Sequence, residues 1–191
     1  RGWISSTEIR HIAIGAVLVI SVGLSLTGWI GPLWFLASSA LVFFAAFFIH
    51  EMAHKFVAQS RGMWAEFRVD PLGALLTVIS ILSPFKIIAP GAVVVSGFPD
   101  VGIMGRVAVA GPLINLILAP LMYLASFQTP SYVRMILLYG AKINIFIAFF
   151  NLLPIGILDG QKVLIWSKKI WAGTFTVSLI LLLAAWGMIL F

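Results

Sequence analysis

The stretch LWFLASSALVFFAAFFIHEMAHK, residues 33–55, opens as an apolar run broken only by Ser38 and Ser39 and closes on two histidines, a glutamate and a lysine. About 20 apolar residues in a helix cross a hydrocarbon core about 30 Å thick, so the run matches lipid rather than water. Ionisable groups at the edge of such a run are expensive to bury and usually functional. His50, Glu51 and His54 stand there, ahead of the first lysine in the chain, Lys55.

Composition extends that reading to the whole chain. Of its 191 residues, 62% are hydrophobic and 9% charged, against roughly 45–50% and 25% in ordinary soluble domains. The mean hydropathy is +1.13. The net charge of +6 comes from scattered lysines and arginines. Scattered basic residues suit a membrane-orientation signal, not a phosphate-binding face, so no nucleic-acid partner is expected. The absence of cysteine rules out disulfides and thiolate metal sites. The first apolar stretch is long and lacks a cleavage pattern, so a cleaved leader is not expected.

The pattern predicts an all-α polytopic membrane protein of five to six transmembrane helices. Five long spans fall at about 11–30, 33–58, 103–126, 132–153 and 169–191. Gly31-Pro32 makes the first turn, Arg61-Gly62 ends the second span, and FQTPS at 127–131 is a short polar turn. Without repeats or a separate polar stretch, residues 1–191 are expected to form a single transmembrane domain.

A small re-entrant or interfacial β element is expected between the second and third long spans. WAEFRVD, 64–70, alternates apolar and polar residues like a half-exposed strand. PLGALLTVISILSP, 71–84, is apolar but too short to cross comfortably. FKIIAPGAVVVSGF, 85–98, reads as a hairpin around Ala89-Pro90-Gly91. The plainer alternative is a surface loop that dips into the interface.

Charge favours return over crossing. With a cytoplasmic N-terminus and 71–84 returning, the cytoplasmic side holds Arg1, Arg10, Lys55, Arg61, Arg68, Lys86, Arg106, Lys162, Lys168 and Lys169. The other side holds only Arg134, and Lys142 falls within a span without an evident role. This is a strong positive-inside bias. A crossing at 71–84 would also set Asp159 on the face opposite His50. The expected protein is multi-pass, with its site toward the cytoplasmic side.

H-E-x-x-H on a helix sets two imidazoles one turn apart on one face, where both can reach one metal ion. Glu51 beside the first can accept a proton from water activated there. A pair of histidines bonded to core neighbours is the bland alternative, and the cost of burial in lipid argues against it. His50 lies about 25 Å along its helix from Leu33, just inside the cytoplasmic boundary. Catalytic zinc takes three protein ligands. His11 lacks a paired partner, and Glu8, Glu66, Asp70 and Asp100 lie in terminal or connecting segments. Asp159 follows a proline- and glycine-broken helix end at the depth of His50, which makes it the candidate third ligand; its alternative role is a helix cap. Asn151 adds a donor nearby.

HEMAH at 50–54, AGPLINLILA at 110–119 and NLLPIGILDG at 151–160, in that order on successive spans, resemble the site-2 protease family of intramembrane zinc metalloproteases. The resemblance covers about 33–166, the family's three-span catalytic core, leaving 11–30 and 169–191 as flanking helices. It implies zinc held by His50, His54 and Asp159, with Glu51 as general base and acid. It also implies that Asn115 faces the site and stabilises the oxyanion or holds the substrate carbonyl. Gly156 stands where the family often has a second proline, a departure that touches no ligand. No room is seen for the soluble PDZ or CBS modules of some members.

The activity implied is hydrolysis of peptide bonds within or near transmembrane segments, as in regulated intramembrane proteolysis. Its partners would be transmembrane protein substrates and the lipid bilayer. Strand-like AVVVS, 92–96, can pair with an extended substrate by β-augmentation, or is simply a buried interfacial strand. The rival from another class is a membrane metal-ion transporter or binding protein using the same His/Asp cluster. Glu51 discriminates, because a transporter has little use for a base beside the ligand pair.

Overall fold

A computed structural model describes residues 4–26, 31–83, 90–97 and 100–187. In chain order these form α1 (Ser6–Leu26), α2 (Leu33–Ser60), β1 (Trp64–Val69), α3 (Pro71–Leu82), β2 (Gly91–Ser96), α4 (Val101–Ser126), α5 (Ser131–Asn151), α6 (Asp159–Trp166) and α7 (Lys168–Gly187). Five of them, α1, α2, α4, α5 and α7, are long and apolar enough to span a bilayer. The protein is a multi-pass membrane protein of the expected class.

Local chemistry sets the helix ends. α1 starts earlier than the apolar run suggests because Ser5 Oγ accepts the Glu8 N–H at 3.1 Å, an N-cap that pulls a polar turn into the helix. α2 ends at Arg61, followed by Gly62 at φ +76°, the left-handed exit that glycine makes cheaply. Asp70 is not part of β1; it caps α3 by accepting the Gly73 N–H at 2.6 Å.

α2, α4 and α5 pack on one another as the centre of the bundle, with α1 against α2 and α7 against α5 and α6. Val19 and Val22 of α1, Phe43 and Phe47 of α2, Phe67 of β1, and Ile143 and Ile147 of α5 form one apolar cluster. Phe67 therefore plugs the sheet into the helices. Large apolar side chains such as Leu33, Leu121 and Ile180 remain exposed on the outside, a surface that water would not tolerate but lipid does. α7 is peripheral and buries only Ser178 and Ala185.

β1 and β2 pair antiparallel, with Trp64 opposite Ser96, Phe67 opposite Val93 and Val69 opposite Gly91. Residues 91–96, the second arm of the hairpin expected around Ala89-Pro90-Gly91, pair with 64–69. The hairpin's other arm, 85–89, lies outside the described residues. The reason is burial: Ala65 and Phe67 sink into the bundle and carry β1 to where β2 can complete it.

This pairing also returns the chain. α3 is 12 residues long, about 18 Å, well short of a bilayer core. Val69 opposite Gly91 brings the two ends of the α3 excursion together. Trp64 opposite Ser96 sets the end of α2 beside the start of α4. The excursion begins and ends on one side of the bundle.

Candidate metal centre

His50 and His54 sit one turn apart on α2, and Asp159 is the first residue of α6. The chain leaves α5 after Asn151 and re-enters helix at Asp159, swinging this carboxylate under the histidines. Asp159 Oδ2 lies 3.3 Å from His50 Nε2 and 3.1 Å from His54 Nε2, and the two Nε2 atoms are 3.1 Å apart. Asp159 does not cap its helix: the N-cap is Leu158, with no side-chain cap bond. His50, Asp159 and their neighbours are almost fully buried.

The second layer of hydrogen bonds determines which atoms face inward. Asn115 Nδ2 donates to Ala46 O at 3.2 Å and to Asn144 Oδ1 at 2.6 Å. That orientation leaves Asn115 Oδ1 as acceptor, so His50 Nδ1–H donates to it at 2.6 Å. His54 Nδ1–H donates to Val107 O at 2.7 Å. Both Nε2 atoms then present lone pairs toward each other and toward Asp159, the arrangement in which a partner on Nδ1 fixes the ligating tautomer. Three acceptors within hydrogen-bond distance of one another require a cation between them: a shared proton or a metal ion.

A metal ion fits. Tetrahedral zinc with ligands at 2.0–2.1 Å separates neighbouring ligand atoms by about 3.3–3.4 Å, close to the 3.1–3.3 Å observed. Gly111 of α4 leaves the necessary space, since a Cβ there would lie 2.4 Å from His54 Nε2 and 2.6 Å from His50 Nε2. Donor atoms of His50, Glu51 and His54 also lie within 4.8 Å of one another. Of the two carboxylates, Asp159 is the better third donor, because it touches both imidazole nitrogens while Glu51 Oε2 accepts the Val93 N–H at 3.1 Å. Glu51, His54, Val93, Asn151 and Asp159 line a cavity of about 130 Å³ beside the cluster, room for water and part of a substrate.

Several sequence expectations change at this point. Asn115 has both amide hydrogens committed within the protein, so it orients His50 and has none left for an oxyanion. Asn151 donates to Ile147 O within its own helix at 3.0 Å. Lys55, counted among the cytoplasmic cations, is fully buried and ion-paired with Glu8. Glu8, in the first turn of α1, is buried, and its other oxygen accepts the Phe67 N–H at 2.9 Å. His11 has a partner too, since its Nδ1 accepts the Val69 N–H at 2.9 Å. One face of α1 therefore holds β1, whose partner strand reaches Glu51. Lys162 was also missed; its Nζ lies 3.6 Å from Asp159 Oδ1, one turn along α6.

Over 132 aligned residues the chain is 38% identical to a protein of Methanocaldococcus jannaschii whose curated name is "Putative zinc metalloprotease", covering 67% of this chain and 69% of that protein. No protein-family model and no solved structure matches the chain.

Proposed function

The chain belongs to the family of the Methanocaldococcus jannaschii protein named "Putative zinc metalloprotease", and on that footing we propose that it is an intramembrane zinc endopeptidase of the site-2 protease type. It cleaves peptide bonds within or near transmembrane segments of membrane-protein substrates, from a site toward the cytoplasmic side. In this reading His50, His54 and Asp159 hold the metal, and the domain spans residues 1–191 with its catalytic core at about 33–166. The observation that carries the proposal is the convergence of three acceptor atoms on one point beside Glu51, at the end of a membrane-spanning helix.

Zinc, when bound, supplies a Lewis acid that lowers the pKa of a water toward about 7 and polarises the scissile carbonyl. The rest is the work of the chain. Glu51 takes the proton from the attacking water and returns it to the leaving amine, the role of a positioned general base and acid. Val93 N–H holds Glu51 Oε2, so β2 aims the base. Asn115 and Val107 O keep both imidazoles in the ligating tautomer. Because Val93 N–H points at Glu51 and not at β1, the outer edge of β2 faces the cavity. A substrate helix must unwind to expose its carbonyls, and an extended strand laid along that edge would present them to Glu51. The metal-transporter reading is not favoured, because transport gives Glu51 no task.

The test is cleavage of a single-span substrate by purified protein in vesicles, comparing wild type with Glu51→Gln. The glutamine variant is expected to retain stoichiometric zinc and yield no product. Product from the variant would remove the base role; a variant without zinc would make Glu51 a ligand.

A further inference from the structure

At the end of the bundle opposite the metal centre, a cavity of about 470 Å³ opens between the C-terminal half of α4, the N-terminal half of α5 and the C-terminal half of α7. Its walls are apolar where Ala119, Ile145 and Ala185 meet, and it also receives two cations, Arg134 and Lys142. Arg134 is in the first turn of α5, stacked over Phe127. Lys142 is half-buried and lies about 16 Å along α5 from Ser131, near mid-span. Side chains on a helix lean toward its N-terminus, so the Lys142 stem carries its ammonium toward Arg134.

No Asp or Glu side chain of this chain answers these charges. The chain has six acidic residues, and all are engaged elsewhere. Glu8 pairs with Lys55, and Glu66 with Arg68. Asp70 and Asp100 cap α3 and α4. Glu51 and Asp159 belong to the metal centre. An ammonium near mid-span without an anion is costly, and intramembrane cations face a partner or a pathway. Among the described residues no anion faces the two cations, and a ligand can supply one.

We propose that this cavity is a binding site for one anionic phospholipid, its phosphate between Arg134 and Lys142 and an acyl chain along Ala119, Ile145, Leu181 and Ala185. The two halves of the cavity require both properties in one molecule. A soluble anion does not need the apolar wall, and a zwitterionic lipid brings its own cation to the phosphate. The lipid fills the gap between α7 and the α4–α5 pair, which suits a helix that buries only Ser178 and Ala185. The site is separate from the peptidase centre, and the proposal stands whether or not the substrate class above is right.

The experiment is native mass spectrometry of the purified protein in a neutral detergent, titrated with phosphatidylglycerol, phosphatidylcholine or inorganic phosphate. Wild type is expected to hold one phosphatidylglycerol, with phosphatidylcholine at least about fivefold weaker and phosphate alone giving no adduct. Arg134→Gln and Lys142→Gln should each weaken phosphatidylglycerol about fivefold, the effect of one cation at a lipid surface, whereas Lys169→Gln should not. Lys142→Arg should restore binding. If Lys142→Gln fails to fold, exposed Arg134 still carries the test. Equal binding of both lipids, an equal effect at Lys169, or an adduct with inorganic phosphate alone would each overturn the proposal.

Discussion

At residue 111 a Cβ would lie 2.4 Å from His54 Nε2 and 2.6 Å from His50 Nε2, in the space an ion at about 2.0–2.1 Å from each nitrogen must occupy. Gly111→Ala is therefore expected to lose zinc in metal analysis and to unfold at a lower temperature than wild type, since the added carbon crowds two buried imidazoles. Gly173→Ala, with nothing within 4 Å of the added carbon, should keep its zinc. Equal zinc in the two variants would show that α4 can retreat and that the metal does not sit where the nitrogens converge. Asn115 acts one bond further out. Asn115→Ala removes the acceptor for His50 Nδ1–H, and zinc affinity should fall about 10–100-fold, read by competition with a chelator. Asp159→Ala should lower affinity far more than Asp100→Ala, because Asp100 only caps α4 by accepting the Ile103 N–H. Equal occupancy after mild chelation would remove Asp159 from the ligand set. The convergence of His50, His54 and Asp159 was legible in the sequence because H-E-x-x-H and the broken helix before Asp159 are local patterns. The roles of Gly111 and Asn115 were not, since both depend on how closely α4 approaches α2.

β1 and β2 connect the first helix to Glu51. Glu8 accepts the Phe67 N–H, Phe67 is the register partner of Val93, and Val93 N–H donates to Glu51. Glu8 also neutralises Lys55, the residue after His54. In sequence, Glu8 reads as part of a terminal segment and Lys55 as one of the cytoplasmic cations, because a charge looks unpaired until its partner is known. Here the partner is 47 positions away, beyond any periodicity. The strand partner of 91–96 was illegible for the same reason, whereas alternation in WAEFRV was enough to identify β1. Glu8→Met leaves Lys55 buried and uncompensated, a loss of about 3–5 kcal/mol, visible as a lower unfolding midpoint. Since a buried pair can often be replaced by apolar residues at little cost, Glu8→Met combined with Lys55→Met should recover most of that stability. If single and double variants unfold together, the ion pair is not the source of the loss.

For the whole molecule, one site requires α2, α4 and the α5–α6 turn to meet at the same membrane face. The five long spans were legible from hydropathy alone, and the positive-inside count pointed to an excursion at 71–84 that returns. Antiparallel pairing of β1 with β2 gives that return its structure, since Trp64 opposite Ser96 brings the end of α2 to the start of α4. Lys55 drops out of the charge count because it is neutralised inside the bundle. Among the described residues Arg10, Arg61, Arg68, Arg106, Lys162, Lys168 and Lys169 remain in the count on the face of the His50–Asp159 cluster, and that face is expected to be cytoplasmic. The chain has no native cysteine, so single cysteines report topology cleanly. Ser60→Cys at the end of α2, Val101→Cys at the start of α4 and Lys169→Cys at the start of α7 should all react with an impermeant thiol reagent from the cytoplasmic side. Gln128→Cys, in the α4–α5 turn, should react only from the other side. Labelling of Val101→Cys from the side opposite Ser60→Cys, with Gln128→Cys on the Ser60 side, would mean that 71–84 crosses, and Asp159 could then not reach His50 from its own face. If all four labels are inverted as a set, the helices and the metal centre stand, but the site faces away from the cytoplasm and the charge rule fails for this chain.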